Sequence, residues 1–150
     1  RQMCIRDRFR KEIEMTKYTV KSELTDTPWQ IENRTKKHKF MADESASGKN
    51  VAPNPVEYLA GAVNSCISIS AGMIANVHHL DVKNFKVTTQ AITTKLGHGK
   101  SVVSEMLITV SFDSSMSQEE KQDFLEHTLH VSTVYQTVSQ SVKNYVELEK

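Results

Sequence analysis

Few residues in this chain could do covalent chemistry, and Cys66 is the first of them. It sits near the middle of NPVEYLAGAVNSCISISAGMIANV, residues 54–77, a stretch with no Asp, Glu, Lys or Arg after Glu57. The thiolate is the reactive form of cysteine, and an apolar burial site disfavours it. A mid-helix position also gives Cys66 no help from the dipole at its own helix's N-terminus. Activation therefore needs a cation supplied from elsewhere, and Arg34, Lys36, Lys37 and His38 are the sequence-level suppliers. The competing reading is structural, since a free cysteine often serves as a small buried apolar residue. Glu57 is the second candidate. Nine residues before Cys66 on one helix, it lies roughly 13 Å away along the axis and cannot touch the sulfur. It either orients a cation or simply caps the helix. His127 and His130 share a helical face at a spacing that metal sites use, whereas the adjacent His78 and His79 point apart. No carboxylate or thiol completes a recognisable ligand set with them, so no metal and no cofactor is expected.

These residues are positioned by a stretch that reads as a helix. Asn54 is a good N-cap, Pro55 suits the first helical position, and Glu57 falls where a capping-box carboxylate belongs. From Tyr58 onward apolar and small residues fall on every side, so the expectation is a helix buried all round. About 20 such residues are also long enough to span a bilayer. Asn64, Ser65, Ser68, Ser70, Asn76 and the two glycines argue against that, and no membrane association is expected. Small residues at Ala60, Gly61, Ala62, Ala71 and Gly72 let other backbones come close. A core helix wrapped by other elements, including those of a second subunit, fits this composition.

The rest of the chain reads as short elements around that helix. Residues 17–24, 28–34 and 36–43 are expected as three strands of an antiparallel meander, with a turn at 25–28. Residues 44–55 form a loop. Residues 85–96 and 101–113 are two strands joined by Gly97-His98-Gly99. On the second, Val102, Met106, Ile108, Val110 and Phe112 share one face, interrupted by Ser104. Ser117 and Glu120 open a second helix at 118–130 with a capping box. A short piece at 132–140, read as a helix, and a strand at 142–149 complete an α+β order.

Composition bounds the remainder. At 150 residues a single domain is expected over 16–150, and residues 1–15, with four arginines in the first ten, read as extraneous to it. A net charge of +1 gives no argument for nucleic acid. With Cys4 in the distrusted segment, Cys66 is effectively alone, which suits a reducing cytoplasm.

The stretch APNPVEYLAGAVNSC, residues 52–66, resembles the helix-opening motif of the OsmC/Ohr family, roughly P-x-P-x-E-x-L-x-x-A-x-x-x-C. Pro53, Pro55, Glu57, Leu59, Ala62 and Cys66 all fall in place. Arg34, His38, the Asp43-Glu44 pair and Gly48 are similar to that family's run into the helix. The resemblance implies antiparallel sheets wrapped around a long central helix in an intertwined homodimer. It implies reduction of organic hydroperoxides, with Cys66 as peroxidatic thiol, Arg34 as the activating arginine and Glu57 as the carboxylate orienting it. It also implies a second cysteine in a C-P-V-H-x-T-L-like segment. Here that segment is STVYQTV, with Ser132 at the resolving position and Tyr135 at a common histidine. A hydroxyl cannot close a disulfide, so an external thiol reductant is expected. The alternative is a member without turnover that binds a small hydrophobic ligand or senses redox state.

Overall fold

The protein is described by a computed structural model covering residues 15–150, so nearly all of the 1–15 segment lies outside the described residues. The described chain groups into two compact units, one ending at Ala52 and one running from Pro53 to Lys150.

In the first unit, β1 (Lys21–Leu24), β2 (Ile31–Arg34) and β3 (Lys39–Ala42) form the expected antiparallel meander. Lys21 pairs with Arg34, and Ile31 with Ala42. All three strands are shorter than the sequence pattern predicts. Pro28 and Trp29, read as strand, belong to the turn instead. Pro28 lacks a donor for the ladder, and Trp29 adopts a left-handed φ of 69°. The turn closes through Thr25 N–H to the Gln30 carbonyl at 3.0 Å.

The loop after β3 is built on two carboxylates. Asp43 is buried and accepts from the backbone amides of Glu44 (2.7 Å) and Val51 (3.2 Å). The Glu44 carboxylate accepts from Ala46 and Ser47 amides, and these bonds, that from Ser47 foremost, hold it below the usual carboxylate range. Gly48 threads between the two. A Cβ there would stand 2.2 Å from Asp43 Oδ1 and 2.5 Å from the Glu44 carbonyl oxygen.

The second unit begins with α1 (Pro55–His78), and its start is the one read from sequence. Asn54 accepts from the Glu57 amide at 2.8 Å, and Glu57 accepts in return from the Asn54 amide at 3.0 Å. The expectation of burial all round does not hold within this chain. Only Val63, Ile67, Ala71 and Ile74 are buried, a single stripe at helical spacing. On the other side Ile69, Met73 and Val77 are each more than 60% exposed. Among the described residues, a Cβ at Gly61 or Gly72 would meet nothing within 4 Å, so no close backbone approach there uses them. Length and composition alone would let α1 cross a membrane.

The buried stripe packs on a sheet ordered β4-β5-β6. β4 (Lys83–Gly97) and β5 (Lys100–Asp113) are a long hairpin, closed by His98 and Gly99 at φ 54° and 78°, both left-handed as a type I′ turn requires. Met106, Ile108, Val110 and Phe112 point into the core as predicted, but Val102 does not. Ile92 pairs with Glu105 and Thr93 with Val103, so Ser104 is an extra residue in β5. This bulge reverses the sidedness beyond it and turns Val103 inward in place of Val102. β6 (Lys143–Leu148) lies parallel to β5. The crossover between them carries α2 (Gln118–Val131), opened by the Ser117/Glu120 capping box, and α3 (Thr133–Val138). Phe124 of α2 meets Phe112 edge-on at 5.4 Å between centroids.

Asp81, between α1 and β4, accepts from the Ser115 amide at 2.9 Å and so ties two connections together. That hydrogen bond holds its carboxyl below the ordinary aspartate range. A depressed folded value stabilises above the unfolded value of about 4 and is lost as pH falls through the folded one. Asp81→Asn is therefore expected to unfold at lower urea than the parent at pH 7, with the two curves converging in acid. In the first unit, Gly48→Ala is expected to cost about 1–3 kcal/mol from overpacking, read as a lower urea midpoint. An unchanged midpoint would mean the loop shifts freely.

Candidate functional site

Cys66 is a free, half-buried thiol halfway along α1. Its sulfur takes a hydrogen bond from the backbone amide of Val134 at 3.5 Å. Val134 is the second residue of α3, so the donor is one of the amides that a helix's first turn leaves without an intrahelical partner. The contact sets a backbone N–H directly against the sulfur. The dipole of α1 does not serve Cys66, as its mid-helix position implies. The sequence reading looked for a cation and missed a backbone donor 68 residues away. The signal available was that the same short segment aligns with the family's second-cysteine motif.

Ser132 stands in the turn between α2 and α3 and is fully buried. Its hydroxyl donates to the Thr128 carbonyl at 2.7 Å and does not cap α3. Ser132 is thus two residues from the amide that contacts Cys66, and its proton is committed to the backbone of α2. Tyr135 is half-buried and packs against the core.

Glu57 is exposed, and its carboxylate is engaged in the capping box. Arg34 belongs to the first unit, whereas Glu57 and Cys66 belong to the second. Its guanidinium, 64% exposed, pairs with Glu32 through Nε at 2.8 Å, and Lys39 joins the same carboxylate oxygen at 2.9 Å. Lys39 and Arg34 together hold Glu32 below the usual carboxylate range. Lys36, Lys37 and His38 are exposed in and beside the β2–β3 turn.

A groove of about 720 Å³ runs beside the C-terminal half of α1, lined by Ser68, Gly72, Asn76, Leu80, Val82 and Phe85 among others. Cys66 does not line it. One wall is apolar and the other carries the polar groups of α1, a lining compatible with a small amphipathic molecule.

Comparison with known proteins places this arrangement. The family model described as OsmC-like protein matches residues 47–147. No curated protein sequence gives a significant match. Among solved structures, the chain is similar to an OsmC-like protein from Mycoplasma pneumoniae (TM-score 0.82, 13% identity, covering 91% of this chain and 98% of that one). It is also similar to an organic hydroperoxide resistance protein from Legionella pneumophila (TM-score 0.74, 12% identity, 92% and 100% covered). The organic hydroperoxide resistance protein OhrB of Bacillus subtilis is a third (TM-score 0.68, 11% identity, 89% and 98% covered). At such identities the likeness establishes the fold.

Substitution at Glu57 separates its capping role from any other. Glu57→Gln retains a capping-box acceptor and is expected to leave the urea midpoint close to the parent's, while Glu57→Ala loses it, at about 0.5–2 kcal/mol. If Glu57 also orients an arginine, Glu57→Gln slows Cys66 oxidation by peroxide without that loss of stability. Equal oxidation rates in parent and Gln variant would leave it a cap alone.

Proposed function

The chain is a member of the OsmC-like protein family, and from that premise we propose that it reduces organic hydroperoxides through Cys66 as a single peroxidatic thiol. The observation that carries this reading is the amide of Val134 aimed at the Cys66 sulfur, in a chain that keeps the whole Pro53-to-Cys66 motif. The names of the Legionella and Bacillus structures point the same way.

In this cycle the Cys66 thiolate attacks the terminal peroxide oxygen. The O–O bond breaks, the alkoxide leaves and takes a proton to become an alcohol, and the sulfur is left as sulfenic acid. Val134 N–H stabilises the attacking thiolate. Arg34 polarises the peroxide and Glu57 orients Arg34. Ser132 cannot resolve the sulfenic acid. A small external thiol condenses with it, releasing water, and a second thiol frees Cys66 with formation of the reductant's disulfide. The cycle needs no metal or cofactor. The working form is an intertwined homodimer, for which the uncovered stripe of Ile69, Met73 and Val77 is the support, and the setting is the cytoplasm, where such thiols are abundant.

A second reading keeps the fold and loses turnover, with a small hydrophobic ligand in place of a substrate. The groove beside α1 and the missing second thiol favour it. One pulse of cumene hydroperoxide with a sulfenic-acid trap separates the two readings. Rapid single trapping in the parent, abolished in Cys66→Ser, is the expected result. Ser132→Cys is expected to divert the sulfenic acid into an internal disulfide and to abolish trapping. A parent that stays unmodified for minutes while denatured Cys66 alkylates normally would overturn the peroxidase reading.

A further inference from the structure

The proposed peroxide cycle leaves a pair of histidines unused. His78, in the last turn of α1, faces His127 on α2, with ring centroids 6.2 Å apart and planes tilted by 55°. These residues lie 49 positions apart and belong to different helices, so spacing along the sequence could not join them. Both side chains are exposed and can turn about two torsions. We propose that His78 and His127 form a bis-imidazole site for a divalent transition cation of the zinc and copper class.

Three observations carry this. A metal bound at the usual Zn–N distance sits about 3.2 Å from each ring centroid, so two rings sharing it stand roughly 5.2–6.4 Å apart between tetrahedral and linear arrangements. The observed 6.2 Å corresponds to an N–metal–N angle of about 150°, so a tetrahedral site needs the two rings to close by about 1 Å, which their free torsions allow. His78 also lies at the C-terminal end of a 24-residue helix, where unpaired carbonyls favour positive charge. The ligand chemistry is selective, because neutral imidazole suits zinc and copper and offers nothing to magnesium or calcium, which take oxygen ligands. No third His, Cys, Asp or Glu joins the pair among the described residues, so water fills the other positions. Bound metal would clamp the end of α1 to α2 and stabilise the folded chain by mass action.

Calorimetric titration of ZnCl2 into the full chain carrying Cys4→Ser and Cys66→Ser, which removes both competing thiols, tests the site at neutral pH. One zinc per chain is expected, with affinity falling about tenfold or more in both His78→Ala and His127→Ala. His130→Ala, altering an exposed histidine one turn further along α2, is the control and is expected to match the parent. Zinc is expected to raise the melting temperature of the parent but not of the two variants, and magnesium to give no heat. Absence of zinc heat at millimolar concentration overturns the proposal. So does zinc affinity that is unchanged in His78→Ala and His127→Ala, or lost equally in His130→Ala.

Discussion

The second unit rests on one line of contact. Val63, Ile67, Ala71 and Ile74 of α1 share one hydrophobic core with Met106, Ile108, Val110 and Phe112 of β5, and Phe124, Leu125 and Val138 complete it. Fully burying one such aliphatic side chain is worth about 1.5–3 kcal/mol, so this seam is what orders the helix. Its direction fixes everything else about α1. With that stripe turned to the sheet, Ile69, Met73 and Val77 must face outward, and Cys66 falls on the flank between the two sides. The flank is where α3 arrives, and there the thiol finds its backbone donor.

That donor reaches a cysteine in mid-helix that the free amides of its own helix cannot. The amides at the start of α1 serve the Asn54–Glu57 capping box, nine residues and more from the sulfur. The first turn of α3 supplies an amide instead, held by the turn that contains Ser132. The buried Ser132 hydroxyl is satisfied by the Thr128 carbonyl, so serine at this position leaves its own polar group paired.

Much of this was legible in the sequence, for local reasons. The two capping boxes, at Asn54/Glu57 and Ser117/Glu120, lie within four residues each and mark both long helices correctly. The meander, the His98-Gly99 turn and the inward face of β5 follow from equally short-range patterns. What failed was non-local. Pro28 and Trp29 look like strand residues until the turn claims them. Ser104 reads as an interruption, and only its register against β4 shows that it inverts the side chains before it. An apolar helix reads as buried on every side, yet the described residues bury only one stripe of it. The parallel pairing of β6, the Val134 donor and the His78–His127 pair all join positions far apart in sequence. For the candidate site, the thiol and its motif were readable, while its immediate surroundings were not.

The 68-residue span between Cys66 and Val134 has a further meaning during synthesis. A chain growing at about 5–20 residues per second reaches Val134 roughly 3–14 seconds after Cys66 is made. The β4–β5 hairpin can form in that time, but β6, the third strand of the sheet, follows later still. Through that interval the thiol lacks α3 and meets the reducing agents and oxidants around the ribosome as an ordinary side chain of a nascent segment. The contact with Val134 is made only when the C-terminal quarter of the chain arrives.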